Sequence, residues 1–328
     1  MDIIVGPVDA RLSGINMTRI AYVLALMSCM SLAVTPAIAS DYTLGIFGNA
    51  NMDDIMDEDD IEYVEGIIGG TNEATELADA NYDGEIDEDD IAQIELIILG
   101  EEKELTILDS VNRAVTLKMP VKRVVSTCMY SDRIILALDG FDRLIGAESG
   151  GSGSVDNFHS CVDEMEFAYG GQMVDVTKTS NVVSGPPEIA VEVVASLEPD
   201  VIFTSSNAPD ELEDQTGAPV VVPMPTRTEN MTMMEQWSIQ IRCIGIVLGK
   251  EEEAEDLISF MEEKLALVTD VTSQMDDSEK PRVFYSTSGI TSTSGNYDPI
   301  ELAGGINVAK DVGGSKVSEE QIVIWDPI

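Results

Sequence analysis

The chain has 328 residues, of which 44% are hydrophobic, and a formal net charge of −43 at pH 7. This length is sufficient for two or three domains. So acidic a chain repels the phosphates of nucleic acids, which argues against nucleic-acid binding as its function. Whether the charge attracts cations or keeps the protein soluble in a salty habitat stays open at this point.

Residues 1–40 are predicted to be a signal peptide. Arg19 supplies the positive start, residues 20–34 the apolar core, and Ala37-Ile38-Ala39 a small-residue cleavage site. Met17 is a plausible true start of translation. In a second interpretation Cys29, which ends the run LMSC, carries a lipid anchor. Either way, the mature chain is expected to be secreted, periplasmic or attached to the cell surface.

Two acidic loops, residues 49–60 and 79–90, follow the predicted signal peptide. Each loop has oxygen-bearing side chains at its positions 1, 3, 5, 9 and 12, the spacing that wraps a Ca²⁺ ion. The predicted ligands are Asn49, Asn51, Asp53, Asp57 and Asp60 in the first loop, and Asp79, Asn81, Asp83, Asp87 and Asp90 in the second. The second loop has Gly84 at the sharp turn, whereas the first has Asp54, so the first loop is expected to bind calcium more weakly.

Each acidic loop runs into an apolar-periodic segment that predicts a helix, and the segments end at Gly70 and Gly100. The apolar positions are Ile61, Val64, Ile67 and Ile68 in the first segment, and Ile91, Ile94, Ile97 and Ile98 in the second. A duplicated loop and helix, without a helix before each loop, resembles a type I dockerin. The resemblance implies a small all-α domain over residues 41–104 that binds calcium and a cohesin partner. The alternative is an acidic linker with accidental spacing, but the run DEDDI is identical in both copies.

Cysteine and histidine are scarce in the rest of the chain. Cys128, Cys161 and Cys243 allow at most one internal disulfide. His159 is the sole histidine of the sequence, which excludes a multi-histidine metal site. Neither GxSxG nor HExxH occurs, so the protein is not expected to be an enzyme. A polysaccharide-degrading enzyme is disfavoured because no paired catalytic carboxylates lie in a recognisable barrel or β-rich framework.

From residue 105 onward, strands and helices are predicted to alternate, which is typical of a parallel sheet covered by helices. A β-hairpin is expected first, over residues 105–120. Strands are predicted at residues 121–127, 142–149, 199–205, 218–225 and 280–287. Helices are predicted from an N-cap at Ser131 to Gly140, over residues 188–197, and over residues 232–268 in two parts broken near Gly249 and Lys250.

Six segments in this part of the chain carry a second resemblance. They are KRVVST, LALDGFDRLIGAES, ASLEPDVIF, CIGIVLGKEEEAEDLI, KPRVFYS and IELAGGINVAKD. In this order they resemble the substrate-binding proteins of ABC importers for iron–siderophore complexes, haem and cobalamin. The resemblance implies an α/β fold of two lobes, residues 105–230 and a partial lobe at 280–328, joined by a single long linking helix at 232–268. The second lobe is expected to be incomplete by roughly 60 residues.

The expected ligand site lies where the loops of both lobes meet, because open α/β sheets bind ligands at the carboxyl ends of their strands. The candidate ligand-binding residues are Tyr130, Ser205, Asn207, Arg227, Ser286 and Tyr297. Arg227 could hold a carboxylate or catecholate oxygen of a metal chelate with its planar fork, or form a surface salt bridge. Tyr130 could stack on or ligate a bound complex, or pack at a loop edge. His159 is interpreted as a loop residue, with a ligand role as the alternative.

Glu192 and Glu320 each stand seven residues before a proline, Pro199 and Pro327, which indicates that the two segments are repeats. In the resembled family one glutamate of each lobe docks onto arginines of the permease, and the same role is implied here; a solvated helix face is the alternative. The expected function is extracytoplasmic capture of an iron chelate, haem or a corrinoid and its delivery to an ABC permease. The alternative is a cell-surface interaction protein held by a cohesin through its dockerin-like domain.

Overall fold

The computed structural model describes residues 43–147, 174–176, 189–226, 231–286, 289–295, 297–312 and 316–327. The predicted signal peptide, Cys29, His159, Cys161 and Arg227 lie outside these residues. Across the described ranges, no helix has the length and hydropathy required to span a membrane.

Nine α-helices occur in the described part of the chain, named here in chain order. They are α1 Glu58–Ile68, α2 Glu88–Leu99, α3 Met129–Ala137, α4 Val191–Ser196, α5 Pro209–Thr216, α6 Met233–Leu248, α7 Glu251–Thr272, α8 Pro299–Leu302 and α9 Glu319–Trp325. The strands are β1 Glu104–Leu108, β2 Ala114–Lys118, β3 Val124–Ser126, β4 Leu144–Ala147, β5 Val174–Asp175, β6 Val201–Phe203, β7 Val220–Val221, β8 Arg282–Val283 and β9 Ile306–Asn307.

Residues 43–100, called the module below, consist of two loop-and-helix copies built in the same way. Asp57 and Asp87 are the N-caps of α1 and α2, and each forms a capping box with the aspartate three residues later. The two helices pack on each other around a small apolar core that includes Val64 and Ile94. The predicted helices after both loops are therefore present, although Ile68 at the end of α1 is 42% exposed rather than buried.

Strands β1 and β2 form the predicted antiparallel hairpin, with Glu104 opposite Lys118. Residues 43–48 run alongside it: the Phe47 N–H donates to Thr106 O at 3.1 Å, and the Leu108 N–H donates to Gly45 O at 2.7 Å. Ile46 and Ile107 form an antiparallel bridge. The hairpin consequently joins the module to the remainder of the chain.

Five parallel strands form the central sheet in the order β5-β4-β3-β6-β7. Neighbouring residues of a strand face opposite sides of the sheet, so Val124 and Phe203 belong to one apolar core and Val125 and Ile202 to the other. Residues of α3 and α6 contribute to the first core, and residues of α4 and α5 to the second. The predicted parallel sheet covered by helices is confirmed, and the helices lie on both of its faces.

The predicted break near Gly249 and Lys250 is confirmed, because the segment forms the two helices α6 and α7, packed against each other. The single long helix that the resemblance implied over residues 232–268 is therefore wrong. Gly249 ends α6 in the left-handed conformation, at φ 57°, and its N–H donates to Gly245 O and Ile246 O. Glycine adopts this conformation without steric strain, because it has no Cβ. The chain changes direction at this cap. Gly245 also allows a close approach, since a Cβ built there would lie 2.7 Å from the Cβ of Ala254.

Helix α3 begins earlier than expected. Its N-cap is Cys128, so the predicted N-cap Ser131 lies inside the helix and is buried. Thr, Ser and Asp residues favour an N-cap locally, but here the end of the buried strand β3 fixes where the helix can begin. The helix ends at Ala137, and the Gly140 N–H donates back to Ile135 O at 2.9 Å.

Residues after α7 contain a small parallel pair, β8 and β9, followed by α9. This pair confirms a strand near residue 282, although it is shorter than predicted. Asp298, just before α8, accepts a hydrogen bond from the Met233 N–H at 2.9 Å and so ties this segment to the start of α6. Contacts group residues 41–328 into one compact unit. The predicted limits of the domains and the predicted truncation of the second lobe stay predictions.

Candidate functional site

The order of the central sheet creates a switch point between β3 and β6. From β3 the chain builds outward through β4 to β5, and it then returns to place β6 on the other side of β3. In open α/β sheets a crevice forms at such a point, outside the carboxyl ends of the strands. The residues that follow β3 and β6 are therefore the first candidates for a binding site.

Two threonines stand at this switch point. The Thr127 N–H donates to Phe203 O at 2.8 Å, and the Thr127 Oγ1 lies 2.8 Å from the Thr204 Oγ1. Both residues are buried. The Thr204 Oγ1 also accepts from the Ser206 N–H at 3.1 Å, which holds the turn after β6 in place.

The candidates Ser205 and Asn207 lie in this turn, and both are exposed. The hydrogen bond between the Ala208 N–H and the Ser206 Oγ, at 3.1 Å, shapes the turn further and leads into α5. The structure thus places both candidates at the carboxyl end of β6, beside the buried threonine pair. Their hydroxyl and amide groups are available to a ligand.

An aromatic pair lies next to the end of β3. Tyr130, in the first turn of α3, is 40% exposed, and its ring meets the ring of Trp237 edge-on, with centroids 5.6 Å apart and planes at 88°. Trp237 lies on α6 and packs against the first core. The sequence analysis found Tyr130 but missed Trp237, because only tertiary packing brings α6 beside α3. The chain has only two tryptophans, and this rarity could have marked Trp237 as a candidate site residue.

The C-terminal segment contributes a second aromatic pair. The rings of Tyr285 and the candidate Tyr297 are stacked, 3.9 Å apart and 7° from parallel. Tyr297 immediately precedes Asp298, whose carboxylate binds the Met233 N–H at the start of α6. Met233 is one helical turn before Trp237, so the hydrogen bond brings the Tyr297 segment to the end of α6 that carries the first pair.

Ser286 also lies in this segment, where it is exposed. Its hydroxyl donates to Gly289 O at 2.6 Å, and it forms an antiparallel bridge with Thr293. This hydrogen bond shapes the loop after β8, so a direct contact of Ser286 with a ligand stays a prediction.

The two candidate docking glutamates occupy the same helical position. Glu192 is the second residue of α4 and Glu320 the second residue of α9, and both are exposed. The Glu320 backbone N–H and the Ser318 hydroxyl lower the pKa of the Glu320 carboxyl. Negative side chains are favoured in the first turn of a helix, where the backbone N–H groups point outward. The two glutamates thus share a helical position, while the repeat and the docking role stay predictions.

The two acidic loops have closely matched geometry. Asp60 Oδ1 accepts from the Asn51 N–H and Asp90 Oδ1 from the Asn81 N–H, each at 3.1 Å. The sharp turn at position 6 has φ 72° at Asp54 and 95° at Gly84. A positive φ is costly for aspartate, and the Asp54 carboxylate here accepts a 2.6 Å hydrogen bond from the Leu44 N–H.

Burial and mutual repulsion raise the pKa values of carboxyls in these loops. The pKa of Asp60 is raised to about 6, mainly by burial, and the charges of Asp53 and Asp57 add to this although two backbone N–H groups oppose it. Burial also raises the pKa of Asp90, with a contribution from the charge of Asp79. These carboxylates are thus short of positive charge, which a bound cation would supply.

The donor set of both loops fits calcium, since every predicted side-chain ligand is an oxygen donor. In the first loop the Asn49 Oδ1 is buried without a hydrogen-bond partner, while its Nδ2 donates to Leu44 O at 3.0 Å. In the described ranges, no group of three or more histidine, cysteine or acidic side chains is arranged as a metal site. The carboxylates instead accept hydrogen bonds from backbone amides of their own loops.

Cys128 and Cys243 are both buried free thiols. Burial raises the pKa of the Cys243 thiol to about 12, and the charge of Asp109 adds to the effect. Because the thiolate is the reactive form, Cys243 is inert at neutral pH. It acts as a small apolar residue of the core.

Comparison with known proteins supports the α/β fold. The chain is 24% identical over 226 residues to a cobalamin-binding protein of Halobacterium salinarum, an alignment that covers 67% of this chain and 56% of that protein. The chain thus spans little more than half the length of this curated relative. Among solved structures, a periplasmic solute binding protein from Veillonella parvula matches with a TM-score of 0.50 and 27% identity, over 68% of this chain and 66% of that one.

Two more distant structures share the fold. The molybdate periplasmic binding protein MolA of Haemophilus influenzae has a TM-score of 0.52 at 20% identity, over 68% of this chain and 72% of its own. The petrobactin-binding protein YclQ from Bacillus subtilis has a TM-score of 0.53 at 18% identity, over 69% of this chain and 75% of its own. A family model described as periplasmic binding protein matches residues 155–327, more than half of the chain. The chain therefore belongs to the periplasmic binding protein family.

Proposed function

We propose that the protein is the extracytoplasmic solute-binding component of an ABC importer. The observation that carries the proposal is the switch point between β3 and β6, where the buried Thr127 and Thr204 hydroxyls meet. Exposed polar side chains and the Tyr130–Trp237 pair surround this point. The relative MolA is described as the cognate binding protein of an ABC transporter. Binding and release by such a site require no covalent step.

The ligand proposed here is a metal chelate: a corrinoid, haem or a ferric siderophore. Two aromatic pairs suit a large ligand with apolar faces, because aromatic rings pack well on such faces. One relative is a cobalamin-binding protein and another binds petrobactin. These two names favour the ligand class without selecting one member of it, whereas MolA binds molybdate.

Fluorescence titration tests this function directly. Trp237 touches Tyr130, so a coloured ligand bound at the switch point should quench its emission. The Trp325→Phe variant leaves Trp237 as the sole tryptophan of the chain. Cobalamin, haem and ferric siderophores are titrated separately, and saturable quenching by one of them is expected. If none of them binds, the proposed ligand class is wrong.

Replacing Tyr130 with alanine is expected to weaken binding of that ligand about fivefold, which corresponds to about 1 kcal/mol for one lost aromatic contact. The dissociation constant is measured by the same titration. Tyr82→Ala is the matched control, because Tyr82 is a similarly exposed tyrosine (51%) whose ring contacts Phe47 in the module. Equal affinity of wild type and Tyr130→Ala would place the ligand elsewhere.

We further propose that the module binds Ca²⁺, through Asn49, Asn51, Asp53, Asp57 and Asp60 in the first loop and Asp79, Asn81, Asp83, Asp87 and Asp90 in the second. Support comes from the repeated loop geometry and from the buried, unpartnered Asn49 Oδ1. Isothermal titration calorimetry with CaCl₂ tests the assignment, and two binding events are expected. A cohesin partner for the module stays a prediction from the dockerin resemblance.

A further inference from the structure

The first acidic loop is enclosed by parts of the α/β fold. On one side, its neighbouring segment pairs with the hairpin, and Met52 of the loop shares a cleft with Leu108, Asp109 and Asn112. The Asp54 carboxylate binds the N–H of Leu44, and Leu44 is buried in the same apolar core as strands β1 and β3. Movement of this loop therefore disturbs the hairpin.

On its other side, the same loop faces α6 and α7. Asp54, Ile55 and Met56 line a second cleft with Arg242 and Ile246 of α6 and with Glu251, Ala254 and Glu255 of α7. Arg242 binds Glu255 through two hydrogen bonds of 2.6 and 2.9 Å, and the charge of Arg242 acts on Asp54.

Met56 provides the apolar part of this contact. It packs against the core of the module and also against the large core of the α/β fold, which includes Ile246. The side chain at loop position 8 is thereby shared between the two cores. This sharing couples the loop to α6 through packing as well as through charge.

The second loop has different contacts: Tyr82 meets the ring of Phe47 edge-on, with centroids 4.7 Å apart. Within the described residues, the hydrogen bonds accepted by its acidic side chains all come from the loop itself. A Cβ built at Gly84 would meet no atom within 4 Å, whereas Asp54 at the same position is held by the Leu44 N–H. Asp83 and Glu85 are exposed. The two loops thus share a ligand pattern but have different surroundings.

We infer that Ca²⁺ binding in the first loop is coupled to the packing of α6 and α7, whereas binding in the second loop is independent of it. The module then acts as a calcium-dependent brace for the α/β fold of its own chain. This inference rests on the proposed calcium binding. Such coupling is reciprocal. If bound Ca²⁺ stabilises the packing of α6 against the first loop, a substitution in α6 that loosens this packing lowers the calcium affinity of the loop.

The test measures calcium affinity in proteins that retain one functional loop. Asp53→Ala disables the first loop and Asp83→Ala the second, because alanine removes the ligand oxygen at position 5. The pair is matched because both aspartates are exposed at that position and accept a hydrogen bond from the N–H two residues on. Ile246→Ala is then added to each full-length protein. Ile202→Ala is the control for general loss of packing, since Ile202 is buried in the other core. Should Ile246→Ala not fold, Ile246→Val provides the smaller change.

Calorimetry with CaCl₂ distinguishes the outcomes. We expect Ile246→Ala to weaken binding at the first loop about fivefold or more and to leave the second loop unchanged. Ile202→Ala should change neither affinity. If Ile246→Ala leaves the calcium affinity of the first loop unchanged, or lowers the affinity of both loops equally, the coupling is wrong. The calcium assignment would still stand in either case. If neither single-loop protein binds Ca²⁺, the calcium assignment fails, and the brace fails with it.

Discussion

Replacing Arg113 with methionine is expected to lower the free energy of unfolding by about 3–5 kcal/mol, the usual effect of leaving a buried charge without its partner. The Arg113 guanidinium binds the Asp109 carboxylate through Nε at 3.1 Å and Nη2 at 2.8 Å, and the Asp109 side chain is fully buried. Arg113 also donates to Val220 O at 2.6 Å and to Asp210 at 2.6 Å. It therefore fastens the hairpin to strand β7 and helix α5.

Urea unfolding followed by tryptophan fluorescence measures this loss. Lys264→Met is the control, because Lys264 pairs with Glu263 at the surface, and removing an exposed pair costs at most about 1 kcal/mol. Adding Asp109→Asn to Arg113→Met should recover part of the stability, since the isolated negative charge is then gone while an acceptor for the turn amides remains. A loss of less than about 1 kcal/mol for Arg113→Met would show that the network adds little.

Much of the fold could be predicted from local sequence signals. The runs of buried β-branched residues predicted β3 and β6, and the alternation of strands with helices predicted a parallel sheet. The apolar periodicity after each acidic loop located α1 and α2, and in the structure Asp57 and Asp87 cap them by satisfying free helix N–H groups. Signals of this kind are read over a few residues, so they do not depend on the tertiary structure.

The predictions fail where the structure depends on contacts between segments that are far apart in the sequence. The chain reverses at Gly249 because α6 and α7 bury apolar residues against each other, and Gly245 allows their close contact. The sequence predicted the break near Gly249 and Lys250, and the single helix was implied only by the resemblance. A periodic pattern alone does not show that the two helices pack on each other. Trp237 was missed for the same reason, since its position depends on how α6 lies across α3.

The module illustrates the same limit. Its sequence predicted two calcium loops with the same ligand spacing, the first binding more weakly because it has Asp54 where the second has Gly84. In the structure their environments differ far more, because the hairpin and α6 enclose the first loop. Asp54 has a positive φ, and its carboxylate accepts a hydrogen bond from the Leu44 N–H. The residue with the strained backbone is therefore also the one that binds the segment beside the hairpin.

Replacing both Glu192 and Glu320 with lysine is expected to abolish uptake of the solute while leaving its affinity for the purified protein unchanged. Both glutamates are exposed and stand at the second position of their helices, so their loss removes no buried contact. In a complex with a permease they would meet positive side chains, and lysine would replace that attraction with repulsion. Uptake is measured with radiolabelled solute in cells that contain the permease, and affinity by fluorescence titration.

The matched control is the double variant Glu65→Lys and Glu95→Lys, which changes the net charge equally on the exposed surface of α1 and α2. It should transport normally, because it leaves the ends of α4 and α9 intact. Each single variant should retain part of the uptake if the two repeats share the docking. Weaker solute binding by the Glu192→Lys, Glu320→Lys protein would instead place these side chains at the ligand site, and normal uptake by it would exclude both as docking residues.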